Sequence, residues 1–366
     1  MKRIFLFLVV LFAGGMSCMI SAATADDHGK THGKPLTVAV FGDWPYSTTL
    51  LNNAPLLLNS VNGDPDVSLV IHVGDIHSGS MPCTGAGLNP IPAGANPGWN
   101  QGIFNIFEQF TDPLVYTPGD NEWTDCHKTK EFASGYPLYE LAAVRGLFFP
   151  APGYTIGGVQ KEVESQAMEY DTEYPADAQF VENVMWKDSN VVFVTLNVPG
   201  SNNDGLPWSG GTGHPFLNEA ARQQEVAERN AADLRWLDHA FKKAKNSAAV
   251  VIAIQADMWD LAATVPGGDG LDGYDAFVQA LADHAVDFGR PVLLLNGDSH
   301  LYEADQPLAD PTSATGVIHH TQAVPNLTRI TVQGSTNTPN EWLKLTIDPN
   351  SPNVFTWQNV CYLSCP

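Results

Sequence analysis

Basic residues are scarce. The 366 residues hold 18 Lys and Arg against 40 Asp and Glu, a formal charge of −22. Such a surface repels nucleic-acid backbones and anionic membranes, so no nucleic-acid partner is expected. A polyanionic substrate entering this field needs bound metal to offset it locally. Long apolar runs are scarce too. The clear one, Ile4 to Ala13, follows Met1-Lys-Arg3 and leads into small residues ending at Ala25. That pattern is a secretory signal peptide over 1–25, and the run is short for a spanning helix. No later stretch is long enough to span a bilayer, so no transmembrane segment is expected after signal cleavage. The expected location is secreted or periplasmic.

Cysteine is sparse. Of five, Cys18 falls in the signal segment, where Gly15 stands in place of the large aliphatic residue that lipidation needs. Cys83, Cys126, Cys361 and Cys365 remain. An even count in an exported chain argues for disulfides, with three pairings possible in principle. Cys361 and Cys365 are close enough to pin the C-terminus, which leaves Cys83 with Cys126. The paired Cys-x-x-Cys knuckles of a zinc site are missing. So is a Gly-x-Ser-x-Gly elbow, which leaves a serine mechanism unsupported. The Gly-rich stretch Ser209-Gly-Gly-Thr-Gly-His214 lacks the lysine and the strand-to-helix setting of a phosphate loop.

What is present is a recurring strand end. Val38-Ala-Val-Phe-Gly-Asp43, Leu69-Val-Ile-His-Val-Gly-Asp75 and Val292-Leu-Leu-Leu-Asn-Gly-Asp298 are apolar runs that stop at Gly-Asp, the last followed by Ser299 and His300. A fourth run, Pro113 to Tyr116, leads into Thr117-Pro-Gly-Asp-Asn-Glu-Trp-Thr-Asp-Cys126. As neighbouring strands of one sheet, these runs would gather their oxygen ligands at its carboxyl edge, where α/β folds place their sites. Hard divalent cations need such a cluster. Each Asp taken alone is equally a cap for the turn after its strand.

The rest of the chain reads as α/β. Strands are expected over 36–42, 67–73, 190–196, 248–254 and 291–295, with helices over 47–60, 102–110, 218–244 and 271–288. Strand, helix, strand within forty residues, 36–73, is a βαβ unit and implies a parallel pair. Late strands over 326–332, 342–347 and 354–357 are expected to be antiparallel. Residues 26–34 read as a mobile leader and 78–101 as a long loop. Residues 134–190 read as an elaboration of a single domain over 35–366. His72, inside a strand, reads as a core histidine. Trp44 and Trp123, beside the motifs, read as packing or as an aromatic wall.

In order, Gly42-Asp-Trp-Pro45, Gly74-Asp-Ile-His77, Gly119-Asp-Asn-Glu122, Gln255-Ala-Asp257 and Gly297-Asp-Ser-His300 resemble the motif series of the calcineurin-like metallophosphoesterase superfamily. The resemblance covers most of the mature chain and looks like a divergent exported subgroup. It implies a four-layer α/β/β/α sandwich with mixed sheets. It also implies one or two divalent metal ions: one on Asp43, Asp75 and His300, the other sharing Asp75 and adding Asn121 and Asp298. The implied chemistry is hydrolysis of a small phosphorylated substrate, a mono- or diester, by a metal-activated hydroxide. Asn121, Glu122, Asp120 and His127 are the implied catalytic set. His77, Asn202 and Trp123 are the substrate-side candidates. Pro45 replaces a motif His, Glu122 takes the catalytic-His position, Gln255 or Asp257 stands near a lone His, and Asp298 replaces another. Oxygen thus displaces nitrogen, shifting preference from zinc toward manganese, magnesium, calcium or iron. The competing expectation is a catalytically degenerate relative that works as a binding or surface module.

Overall fold

A computed structural model describes residues 33–208 and 218–366. The expected signal peptide over 1–25, nearly all of the expected leader over 26–34 and the Gly-rich stretch 209–214 lie outside the described residues.

Twelve strands are found among the described residues. In chain order they are β1 (Leu36–Phe41), β2 (Val67–His72), β3 (Leu114–Tyr116), β4 (Glu164–Ser165), β5 (Val184–Asp188) and β6 (Val191–Thr195). Then come β7 (Ala249–Ala253), β8 (Val292–Asn296), β9 (Glu303–Asp305), β10 (Leu327–Thr331), β11 (Asn340–Ile347) and β12 (Phe355–Leu363). They form two mixed sheets, ordered β12-β11-β1-β2-β3 and β4-β5-β6-β7-β8-β10-β9. In the first, β1, β2 and β3 are parallel, β11 runs against them, and the edge strand β12 pairs antiparallel with β11. In the second, β6, β7, β8 and β10 are parallel, β5 and β9 run against them, and the edge strand β4 pairs antiparallel with β5.

Side chains alternate across a strand, and the burial follows that period. Val38 and Val40 of β1 point into a core shared with Phe193, Val251, Leu293 and Ile330 of the second sheet. Ala39 and Phe41 point the other way. They meet the helices Ala54–Asn62, Trp99–Phe107 and Pro137–Phe148 through Leu57, Ile103, Phe107 and Val144. In the second sheet Val192, Val250, Ile252 and Leu294 pack on the helices Glu219–Lys243 and Asp275–Phe288 through Trp236, Leu237, Val278 and Leu281. Central strands covered on both faces explain why β7 is apolar throughout and β6 and β8 are apolar up to their last residues, Thr195 and Asn296.

Several expectations change. The helix expected over 47–60 is two, Thr48–Asn52 and Ala54–Asn62. Pro55 has no N–H to continue the first ladder and instead occupies the first turn of the second. The helix expected over 102–110 starts earlier, at Trp99. β10 is antiparallel only to the short β9; its other neighbour, β8, is parallel. Residues 134–190 supply a helix, Pro137–Phe148, and the strands β4 and β5 that extend the second sheet. Both disulfides form as paired above, Cys83–Cys126 and Cys361–Cys365. No helix among the described residues is long and apolar enough to cross a membrane.

Candidate metal centre

The strand ends do meet, but across two sheets instead of one. Asp43 and Asp75 follow β1 and β2, and Asn121 follows β3, all in the first sheet. Asp298 and His300 follow β8 in the second. The carboxyl ends of the parallel strands of both sheets therefore face one cleft of about 350 Å³. Asp43, Asp75, Asp298 and His300 all have left-handed backbones, with φ of 49°, 60°, 74° and 64°. Such conformations cost energy for non-glycine residues and gather at functional sites. A strap after β10 ties the two sheets together here. Gly334 N–H donates to the His300 carbonyl (2.9 Å) and Ser335 N–H to the Asp43 carbonyl (3.1 Å). Position 334 admits no side chain, because a Cβ there would lie 2.8 Å from His300 Cβ and 3.0 Å from Asp43 Cβ.

Asp43, Asp75 and His300 each offer one ligand atom, all within 4.8 Å of one another. The other group of this kind among the described residues, Cys83, Cys126 and Glu131, is closed by the disulfide. Asp43 Oδ2 is buried and accepts no hydrogen bond. Burial pushes the Asp43 carboxyl up to about 7, helped by Asp120 and Asp257. Burial, followed by the charges of Asp120, Glu122, Asp43 and Asp298, pushes Asp75 well above the usual carboxylate range. Asp298 is raised likewise, by burial and then Asp120. Burial lowers His300, which keeps its nitrogen available as a lone-pair donor. Crowded carboxylates beside an imidazole fit a hard or borderline ion.

Tyr46 completes the cluster and was not singled out from the sequence. Its hydroxyl lies 2.7 Å from Asp75 Oδ2, 3.1 Å from Asp43 Oδ1 and 3.1 Å from His300 Nε2. Asn121 Nδ2 donates to it at 3.3 Å and to Asp75 Oδ2 at 2.7 Å. Burial, then the Asp75 charge, holds the phenol well above its ordinary pKa. The signal available was a polar residue three places after Asp43, just beyond the motif as read.

The remaining expected residues divide into two sets. Asp120, Asn121, Asn202, Asp298 and His300 line the cleft. Asp120 accepts from Gln255 Nε2 (3.1 Å) and Ser201 Oγ (2.7 Å). Glu122 sits behind the cleft wall, where it accepts from Gly119 N–H, Asp75 N–H and the Tyr116 hydroxyl. Its role there is to hold the two ligand loops together. Trp123 is fully buried with the Arg229 guanidinium 5.5 Å over its ring, so it packs and forms no wall of the cleft. Trp44 is buried as well. His77 and His127 are buried and do not line the cleft; burial lowers His77 to about 4. Gln255 donates to Asp120 and accepts from Gly200 N–H, which fixes its carboxamide. Asp257 lines the cleft, with Oδ1 2.6 Å from Arg329, and its N–H holds Asp298 Oδ2 at 3.0 Å.

Ser201 enters the cleft from an unusual turn. Ser201, Asn202, Asn203 and Asp204 all have φ between 53° and 58°. A left-handed run costs about 1–2 kcal/mol per residue, least for Asn and Asp. It is held by Asn202 to Asp272 (2.8 Å) and Gly273 (2.7 Å), and by Asn203 to Arg229, Asn230 and Gly273.

No family model and no curated protein matches the chain. Among solved structures, the Plasmodium protein GAP50, titled the anchor in the inner membrane complex, is similar at TM-score 0.41 and 10% identity, covering 90% of this chain and 89% of that one. A carbon-nitrogen hydrolase from Helicobacter pylori is similar at TM-score 0.32 and 10% identity, covering 91% and 88%. Likenesses of this size assign neither family nor activity.

Proposed function

We propose that the chain is an exported, metal-dependent phosphoric ester hydrolase of the calcineurin-like metallophosphoesterase superfamily, its two sheets and flanking helices forming that family's four-layer sandwich. The observation that carries this reading is the convergence of Asp43, Asp75 and His300 at the carboxyl ends of parallel strands from both sheets. Asp43 Oδ1, Asp75 Oδ2 and His300 Nε2 would hold one divalent ion. The Tyr46 oxygen stands close to 3 Å from each of them, a spacing that suits a fourth ligand of the same ion. Asn121 and Asp298 border the same cleft and would serve a second ion. Bound metal would supply Lewis-acid charge at the phosphoryl oxygens and lower the pKa of the attacking water.

The chain's own groups do the rest. Asn121 Nδ2 orients Asp75 by hydrogen bonding to Oδ2. Glu122 fixes the Gly119 and Asp75 backbones. Asp120 is the acid of the expected set that faces the cleft. Burial and the Asp125 charge raise its pKa, so it can hold a proton for a leaving oxygen.

The second reading, a binding module without turnover, is favoured by the Tyr46 O–H, which lies within hydrogen-bond distance of Asp75 Oδ2 and Asp43 Oδ1, the oxygens an ion would need. The test is chelator-stripped protein resupplied with manganese, magnesium, calcium, iron or zinc, assayed on aryl phosphate mono- and diesters and by thermal unfolding. Turnover and a raised Tm are expected with at least one ion. An ion at 100 times its Kd adds about 2.7 kcal/mol. Asp75→Asn should lose both effects. Tyr46→Phe should weaken the ion about tenfold or more, as loss of a ligand or its partner does. Tighter binding in Tyr46→Phe, without turnover in the parent, would favour the binding module.

A further inference from the structure

The cleft is lined by six carboxylates, Asp75, Asp120, Asp257, Asp260, Asp269 and Asp298. Among the described residues one Lys or Arg lines it, Lys130. Bound metal would serve both ester classes, so discrimination between them must come from elsewhere in the cleft.

Lys130 is placed to contribute. It follows the turn that the Cys83–Cys126 disulfide ties to the 78–101 loop. A Cβ built on Gly79 would meet Lys130 Nζ at 3.0 Å and Asn121 Oδ1 at 2.6 Å, so the ammonium and the Asn121 carboxamide flank the same point of the wall. The bland role of Lys130 is an ion pair with Asp125, whose Oδ2 is 2.9 Å away. Asp125 has further partners on its other oxygen. Lys128 Nζ meets Asp125 Oδ1 at 2.7 Å, and Ser201 Oγ reaches the same oxygen at 2.8 Å. Lys128 is further engaged by Ser201 at 2.7 Å and Asp269 at 3.6 Å. Lys130 has one carboxylate within ion-pairing distance among the described residues, and its side chain, which lines the cleft, is 52% exposed. An ammonium offers three donors, and one contact leaves capacity for an anion.

Building on the phosphoesterase reading, we infer that Lys130 makes the cleft prefer dianionic phosphate monoesters to monoanionic diesters. A monoester brings a second negative charge into a wall of carboxylates, and Lys130 is the cation there to meet it. A diester lacks that charge and replaces an oxygen with a second organic arm, so it gains less from the contact. A charged contact of this kind contributes about 1.5–3 kcal/mol, or roughly tenfold and more.

The test compares Lys130→Met and Lys130→Arg with the parent protein, all metal-loaded, on an aryl phosphate monoester and the matching bis-aryl diester. Inorganic phosphate serves as inhibitor, and metal affinity is measured by calorimetry. In Lys130→Met, kcat/KM for the monoester should fall about tenfold, mainly through KM, and the phosphate Ki should rise by a similar factor. The diester should change less than about twofold, metal affinity should hold, and Lys130→Arg should keep the preference. Equal losses on both esters, or an unchanged ratio, would overturn the role given to Lys130 while leaving the hydrolase intact. A parent protein that binds metal but turns over neither ester would remove the phosphoesterase reading itself.

Discussion

His72 shows how one buried side chain sets the response to acid. It closes β2, wholly buried among Phe41, Phe107 and Tyr116. Its Nδ1 accepts the Gly74 N–H at 3.2 Å, so the proton sits on Nε2, which donates to the Trp44 carbonyl at 3.2 Å. A second proton on Nδ1 would face an N–H donor. Burial brings the pKa down to about 3. Between that value and about 6.5 the unfolded chain binds the proton and the folded one does not. This stability is therefore complete above pH 6.5 and is lost as pH falls toward 3, about 2 kcal/mol of it by pH 5. Buried carboxylates raised by folding, such as Glu122 at about 7, have the opposite sign and favour the fold as pH drops. The net slope mixes the two, so a variant is needed. Urea unfolding of His72→Gln at pH 7 and pH 5 should show that the acid loss assigned to this ring is gone. An unchanged difference between the two pH values would mean the ring is not its source.

At the scale of elements, the two disulfides do different work. Cys83–Cys126 spans 43 residues and joins the loop after Asp75 to the turn carrying Asn121. Cys361–Cys365 spans four at the end of β12. Loop-closure entropy gives about 4 kcal/mol for the first and about 2 kcal/mol for the second. Replacing Cys83 and Cys126 by Ser should cost the larger amount in urea unfolding and also weaken metal binding. Replacing Cys361 and Cys365 should cost the smaller and leave the ion's affinity alone. Equal costs, or metal binding indifferent to both, would contradict this division. The ligand loops were legible because each pairs an apolar run with a local stop, Gly-Asp, whose chemistry does not depend on what lies beside it. Partners across a sheet carry no such local mark. Nothing in Val38 to Asp43 or Val292 to His300 says that the two runs enter different sheets. β4 and β9, at two and three residues, are too short to show a period. Tyr46 was missed for a related reason: its role exists only once β1, β2 and β8 bring their ends together around it. Glu122 and Trp123 lie in the motif yet face inward, and sequence order alone gave no direction.

The whole molecule imposes a field on whatever reaches the cleft. With a formal charge of −22, it attracts a divalent cation and repels a dianionic ester, so salt should act on the two with opposite sign. Screening lengths shrink from about 30 Å at 0.01 M to about 10 Å at 0.1 M. Metal affinity should therefore weaken over that range, while kcat/KM for a monoester, measured with metal held saturating, should rise. The diester carries half the charge and should rise less. Lys130 and the ion act within a few ångströms of the ester and are screened little, so the monoester preference should survive in the saturated, high-salt limit. Association that instead slows with salt would mean the ester is drawn in by the local positive charge of the metal centre and Lys130, and that the acidic surface lies too far from its path to matter.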